Sequence, residues 1–126
     1  WHVKATREEA EREARIWLTV RGTLYPPHID EVLPPDEAAI VNANISSFIR
    51  AYNRKSDVIE GVPAGIVTKL VQRCTSACAI ADLDREIQRL RDFRAAGLTQ
   101  IALRLYDNPA ETIRLLGERV VPALRD

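Results

Sequence analysis

Few residues in this chain combine a reactive type with a spacing that chemistry could use. Cys74 and Cys78 stand four apart, which would put two thiols on one face of a continuous helix, but the pattern around them breaks from helix to strand. A metal site needs more ligands than these two, and neither His2 nor His28 has supporting spacing, so no metal is expected. The plain expectation for both cysteines is small buried side chains. Ser46-Ser47 falls inside a helical pattern with no partner histidine in view, which leaves a nucleophilic triad unsupported. Neither common glycine-rich phosphate loop is present. What remains is Arg104 and Tyr106. From Leu98 to Tyr106 the residues alternate, with Ile101, Leu103 and Leu105 on one side and Gln100, Ala102, Arg104 and Tyr106 on the other.

The elements that must carry these residues are clearest in the last third. Asp82 is placed to N-cap a helix whose Leu83, Ile87, Leu90 and Phe93 recur at helical spacing, and Gly97 stands where a C′ glycine belongs. Leu98–Tyr106 then reads as a buried strand. Asn108-Pro109-Ala110-Glu111 opens a second helix with an Asx cap, Pro at N1 and Glu at N3. An α-β-α order with short connections belongs to parallel α/β folds. Upstream, Trp1–Lys4 reads as the end of a strand. Thr6 and Glu9 form a capping box for a helix running to about Val20, with Ala10, Ala14, Trp17 and Leu18 inward and Glu8, Glu11, Arg12 and Arg15 in solvent. Prolines bracket a stretch that holds at most a short helical turn around Ile29–Leu33. Asp36 caps a helix with Val41, Ile45, Phe48, Ile49 and Tyr52 on one face. Val62-Pro63 opens another, with Ile66, Val67 and Leu70 inward, and Ala77–Ile80 reads as a strand.

Composition narrows the function. Lys plus Arg and Asp plus Glu number 18 each, and this zero net charge argues against a nucleic-acid partner. No apolar run is long enough for a membrane span and no signal-peptide pattern occurs, which points to a cytoplasmic protein without a membrane partner. At 126 residues the chain is one domain or a fragment of one. Its parts are 1–21, a strand end plus helix; 22–73, a helical insertion; and 74–126, the last two β/α units.

The run from Asp92 through Gly97 to Arg104 resembles the last βα unit of the luciferase-like monooxygenase superfamily. Glu111–Leu116 and Glu118–Leu124 resemble that family's C-terminal helix. The nearest branch is that of oxidoreductases dependent on coenzyme F420, similar to methylenetetrahydromethanopterin reductase. The resemblance implies a helix-rich α/β fold forming the C-terminal part of a (β/α)8 TIM barrel, about strands six to eight. Trp1–Lys4 would be strand six, Ala77–Ile80 strand seven and Leu98–Tyr106 strand eight. A complete barrel takes about 250 residues, so the chain would be part of a longer one. The absence of Met agrees with that expectation. One departure stands out: where the family has Gly-Thr-Pro or a variant after strand seven, this chain has Ala81-Asp82-Leu83.

The resemblance further implies hydride transfer to or from a small organic substrate with F420, or alternatively FMN. Arg104 and Tyr106 would be cofactor-binding residues near the barrel mouth, where an arginine fork suits a phosphate or carboxylate. The competing expectation pairs Arg104 with a nearby carboxylate and makes Tyr106 a rim packing residue. No catalytic residue is named by the sequence, and most cofactor contacts of such a family would come from earlier strands. A homo-oligomer or a longer chain is expected, since cutting a barrel exposes strand edges. The alternative is a small, mostly helical, non-enzymatic binding or regulatory domain.

Overall fold

A computed structural model describes residues 1–125. Its centre is a short parallel pair, β1 (His2–Lys4) and β2 (Ala77–Ala79), with His2 opposite Ala77, Val3 opposite Cys78 and Lys4 opposite Ala79. Between the strands run α1 (Arg7–Trp17), α2 (Pro26–Val32), α3 (Pro35–Ala43), α4 (Ile45–Arg54) and α5 (Ala64–Cys74). After β2 come α6 (Leu83–Ala95), an extended segment, α7 (Pro109–Leu115), a π-helical turn (Leu116–Val120) and α8 (Val121–Arg125). About two thirds of the chain is helical, so the helix-rich α/β expectation holds.

Strand side chains point alternately to opposite faces, and here each face meets a different core. Below one face, Ala14 and Leu18 of α1 join Ile29, Val41, Phe48, Val67, Leu70 and Val71, with Ala77 of β2 packed on them. On the other face, Trp1, Val3 and Cys78 pack with Leu83, Ile87 and Leu90 of α6 and with Val120. Helices therefore cover both faces of the sheet.

The largest correction concerns Leu98–Tyr106. It is extended but not a strand, and it is not buried: Leu98 is 47% and Ile101 39% exposed. Its backbone is tied through Leu98 N to the Phe93 carbonyl and through the Arg104 carbonyl, which accepts from the Trp1 nitrogen at 3.1 Å. The alternation itself is obeyed. Leu103 and Leu105 pack on the second core, while Tyr106 lies against His2 and Trp17 on the opposite face. What is missing is a ladder partner, and without one an alternating sequence makes no sheet.

Helix boundaries follow local chemistry more closely. The Thr6–Glu9 capping box forms, both bonds at 3.2 Å, and α1 ends at Trp17 rather than Val20. Pro35 and Pro26 open α3 and α2 near N1, where the missing N–H costs nothing. The helix expected from Asp36 to Tyr52 is broken at Asn44, whose side-chain amide donates to the Ile40 carbonyl at 2.8 Å, and Ile49 is left exposed. Gly97, at φ +97°, closes α6 as expected. Asp82 does not cap α6 with its side chain; it pairs with Arg7 at 2.7 Å. Asn108 likewise makes no cap bond and instead donates from its amide to Glu111 at 2.7 Å.

Candidate functional site

In open parallel sheets, ligands bind outside the carboxyl ends of the strands. A crevice of about 460 Å³ lies there. Lys4 and Ala5 at the end of β1, Ile80 just past β2, and Asp107 and Asn108 at the end of the extended segment form its floor and rim. Glu111, Arg114 and Glu118 of the following helical turns form a wall. The β/α order dictates this: each strand ends in a turn on the same edge, so residues distant in sequence converge.

Lys4 connects the crevice to a buried polar cluster. Its ammonium lies 2.8 Å from Oε1 of Glu13, and Oε2 of Glu13 lies 2.7 Å from Nδ1 of His2. Glu13 is 7% exposed and His2 3%. Because a carboxylate only accepts, the ring proton of neutral His2 sits on Nδ1 and donates to Glu13. Burial alone would raise the Glu13 pKa, but its hydrogen bonds from His2 and Lys4 outweigh that and hold it below the usual glutamate range. Burial holds His2 below the usual imidazole range, against the pull of Glu13. At neutral pH the cluster is therefore a carboxylate between an ammonium and a neutral imidazole.

The other side of the His2 ring stacks on Tyr106, centroids 4.7 Å apart and planes within 10°. Tyr106 also lies 4.4 Å from Trp17, which meets Tyr52 edge-on at 5.2 Å. Arg104 sits over the rings of Tyr106 (5.2 Å) and Trp17 (5.8 Å), and Lys55 over those of Trp17 (4.7 Å) and Tyr52 (4.2 Å). Such cation–aromatic contacts contribute roughly 0.5–1 kcal/mol each at exposed positions. No protein-family profile, no curated protein and no solved structure matches this chain.

The two site residues named by the sequence, Arg104 and Tyr106, are thus together, but in the aromatic cluster and not in the crevice lining. Arg104 finds aromatic rings where a carboxylate partner was the plainer expectation. Cys74 and Cys78 are both free. Burial pushes the Cys78 thiol up to about 11, which leaves it protonated and unreactive at neutral pH. Among the described residues no group of metal-ligating side chains gathers, and no helix is long and apolar enough to cross a membrane. Sequence reasoning missed Glu13. The signal was available: Glu13 stands three residues after Ala10 and four before Trp17, a charged residue within the apolar stripe of α1.

Proposed function

We propose that this chain is the C-terminal portion of a luciferase-like oxidoreductase that uses coenzyme F420, or alternatively FMN, to move a hydride to or from a small organic substrate. One observation carries the reading. The stretches resembling that family, Asp92–Arg104 and Glu111–Leu124, flank Asp107 and Asn108, which lie on the rim of a crevice at the carboxyl edge of a parallel sheet, and that edge is where barrel enzymes hold their reacting groups. The chain's own contribution would be to bind and orient: Arg114 and Lys4, the latter paired with Glu13, stand among the carboxylates of Glu9, Asp107, Glu111 and Glu118, which offer hydrogen-bond acceptors to a ligand, while Val3 and Ile80 supply apolar wall. A cofactor contact from Arg104 or Tyr106 would require the aromatic cluster to extend to the mouth of the completed site.

The cytoplasmic location and association with another copy, or with further parts of a longer chain, belong to the same proposal. Phe93, Leu98, Ile101 and Val121, all more than a third exposed, support association. A second reading, a small non-enzymatic binding or regulatory domain, is favoured by the helices that cover both sheet faces. Titration of F420 and FMN, followed by fluorescence, separates the two. The protein encoded by the whole reading frame should bind one of them, and the 126-residue chain alone should bind neither with a micromolar Kd. If the whole protein binds neither, the oxidoreductase reading falls. If Arg104→Ala leaves the cofactor affinity of the whole protein unchanged, Arg104 has no cofactor role.

A further inference from the structure

We propose that the cleft between α5 and α6 is a second binding site, one that takes the phosphate group of a small organic ester through Arg73 and Arg85. The cleft has a volume of about 550 Å³ and shares no residue with the crevice at the carboxyl edge of the sheet. One wall is the last turn of α5, with Gln72 and Arg73. The other is α6, whose Arg85, Gln88, Arg89 and Asp92 fall at i, i+3, i+4 and i+7 and so share one face of that helix. This polar stripe is separate from the apolar one, Leu83, Ile87 and Leu90, that packs in the second core. Val32 at the end of α2 adds apolar surface to the cleft.

The charges of the cleft are unequally committed. Arg89 is fixed: it donates to the carbonyls of Thr75 at 2.8 Å and Arg73 at 3.4 Å, and it stands 3.6 Å from the carboxylate of Glu86. Glu86 is buried, so its charge meets Arg89 and not the open cleft. Asp92 accepts from the amide of Gln88 at 2.9 Å. Arg73 and Arg85 are exposed, and among the described residues neither has a carboxylate within ion-pair distance. Three guanidiniums against two carboxylates leave the lining positive. Arg85 and Arg89, one turn apart on α6, repel each other, and Arg73 brings a third like charge from α5. A dianion held by Arg73 and Arg85 relieves that repulsion. All three cations are arginines, whose planar forks pair bidentately with phosphate oxygens. A bare phosphate would leave most of the volume empty, whereas an ester places its organic part against Val32 and Gln72.

Calorimetric titration of the chain with glycerol 3-phosphate and, separately, with inorganic phosphate tests the site at low ionic strength, where such pairing is least screened. Glycerol 3-phosphate should bind with a Kd below about 1 mM, and more tightly than inorganic phosphate. Arg73→Gln and Arg85→Gln should each weaken that binding about tenfold. Arg54→Gln removes the same charge from an exposed position on α4 and should leave it unchanged. Binding that survives both cleft substitutions, or that falls equally in Arg54→Gln, overturns the site, as does the absence of binding by either probe. Inorganic phosphate that binds as tightly as the ester overturns the assignment of an ester. Should a variant fail to fold, NMR of the nitrogen-15-labelled wild type decides. Glycerol 3-phosphate should then shift the resonances of Arg73, Arg85 and Gln88, and shifts confined to residues outside the cleft overturn the proposal.

Discussion

The two faces of the sheet carry cores of unequal size, fourteen buried residues on one and seven on the other. Under the first face, Ile29, Val41, Phe48, Leu70 and Val71 are at most 1% exposed. Against the second, Cys78, Leu83 and Val120 are as deeply buried, but this core is half the size, and around it Leu103, Leu105, Leu115, Leu116, Ala123 and Leu124 are only partly buried. The difference is one of layers. α1, α4 and α5 close on one another and on the sheet, so each apolar stripe has a facing stripe. α6, α7 and α8 have a thin sheet and a single extended segment to cover. Periodicity states which side of an element is apolar; whether that side is buried depends on a second element being there to meet it.

That contrast breaks or stands on substitution. The largest effect is expected in the first core, where Phe48→Ala should destabilise the chain by about 3–5 kcal/mol in a urea melt. A cost under about 1.5 kcal/mol would mean the first core can collapse around the cavity and is no better packed than the second. Thr6→Ala removes the side-chain half of the capping box from α1, the helix that carries Glu13 and Trp17, and should cost about 1 kcal/mol by thermal denaturation. Leu103→Ala should cost less than about 1 kcal/mol, since the half-covered side chain has little burial to lose. A measured cost of about 2 kcal/mol or more would place Leu103 in a closed core, equalise the two faces and favour a strand paired within a larger sheet. Ile101→Lys, on the exposed part of the same segment, should change stability by no more than about 0.5 kcal/mol.

What was legible in the sequence is what depends on neighbours in the chain. The Thr6–Glu9 box, the glycine stop at Gly97, the proline-led start of α5 and the short strands around Val3 and Cys78 all follow from local rules. Where two local partners compete, the sequence does not say which wins. Asp82 and Asn108 have cap chemistry, but Arg7 and Glu111 take their side chains. At Asn44 the side chain turns back to Ile40 and splits one apparent helix into two. Gly61, at φ +80°, fits close beside it: a Cβ there would lie 2.6 Å from the Asn44 Oδ1. The strand expected at Leu98–Tyr106 needed a distant ladder partner, which no local pattern encodes. The same holds for the site. Arg104 and Tyr106 were visible as polar residues on an alternating stretch, while their neighbours His2 and Trp17 lie far away in sequence and meet them only through the fold.

The π-helical turn at Leu116–Val120 lets the end of the chain tolerate a change of one in its count of residues. A wider turn takes in an extra residue without ending the helix, so the side chains beyond it are rotated relative to an unbroken α-helix. In that rotated frame Ala123 and Leu124 pack on the second core, and Arg91 and Arg94 of α6 reach the carbonyls of Ala123 and Leu124 at 2.8 and 2.6 Å. Deleting Gly117 would take out the extra residue together with the wide turn, and the two rotations of about 100° would cancel, so Ala123 and Leu124 would keep their face toward α6. A deletion of one residue here acts as a shortening more than a twist, and two chains that differ by that residue can still dock this helix through the same face.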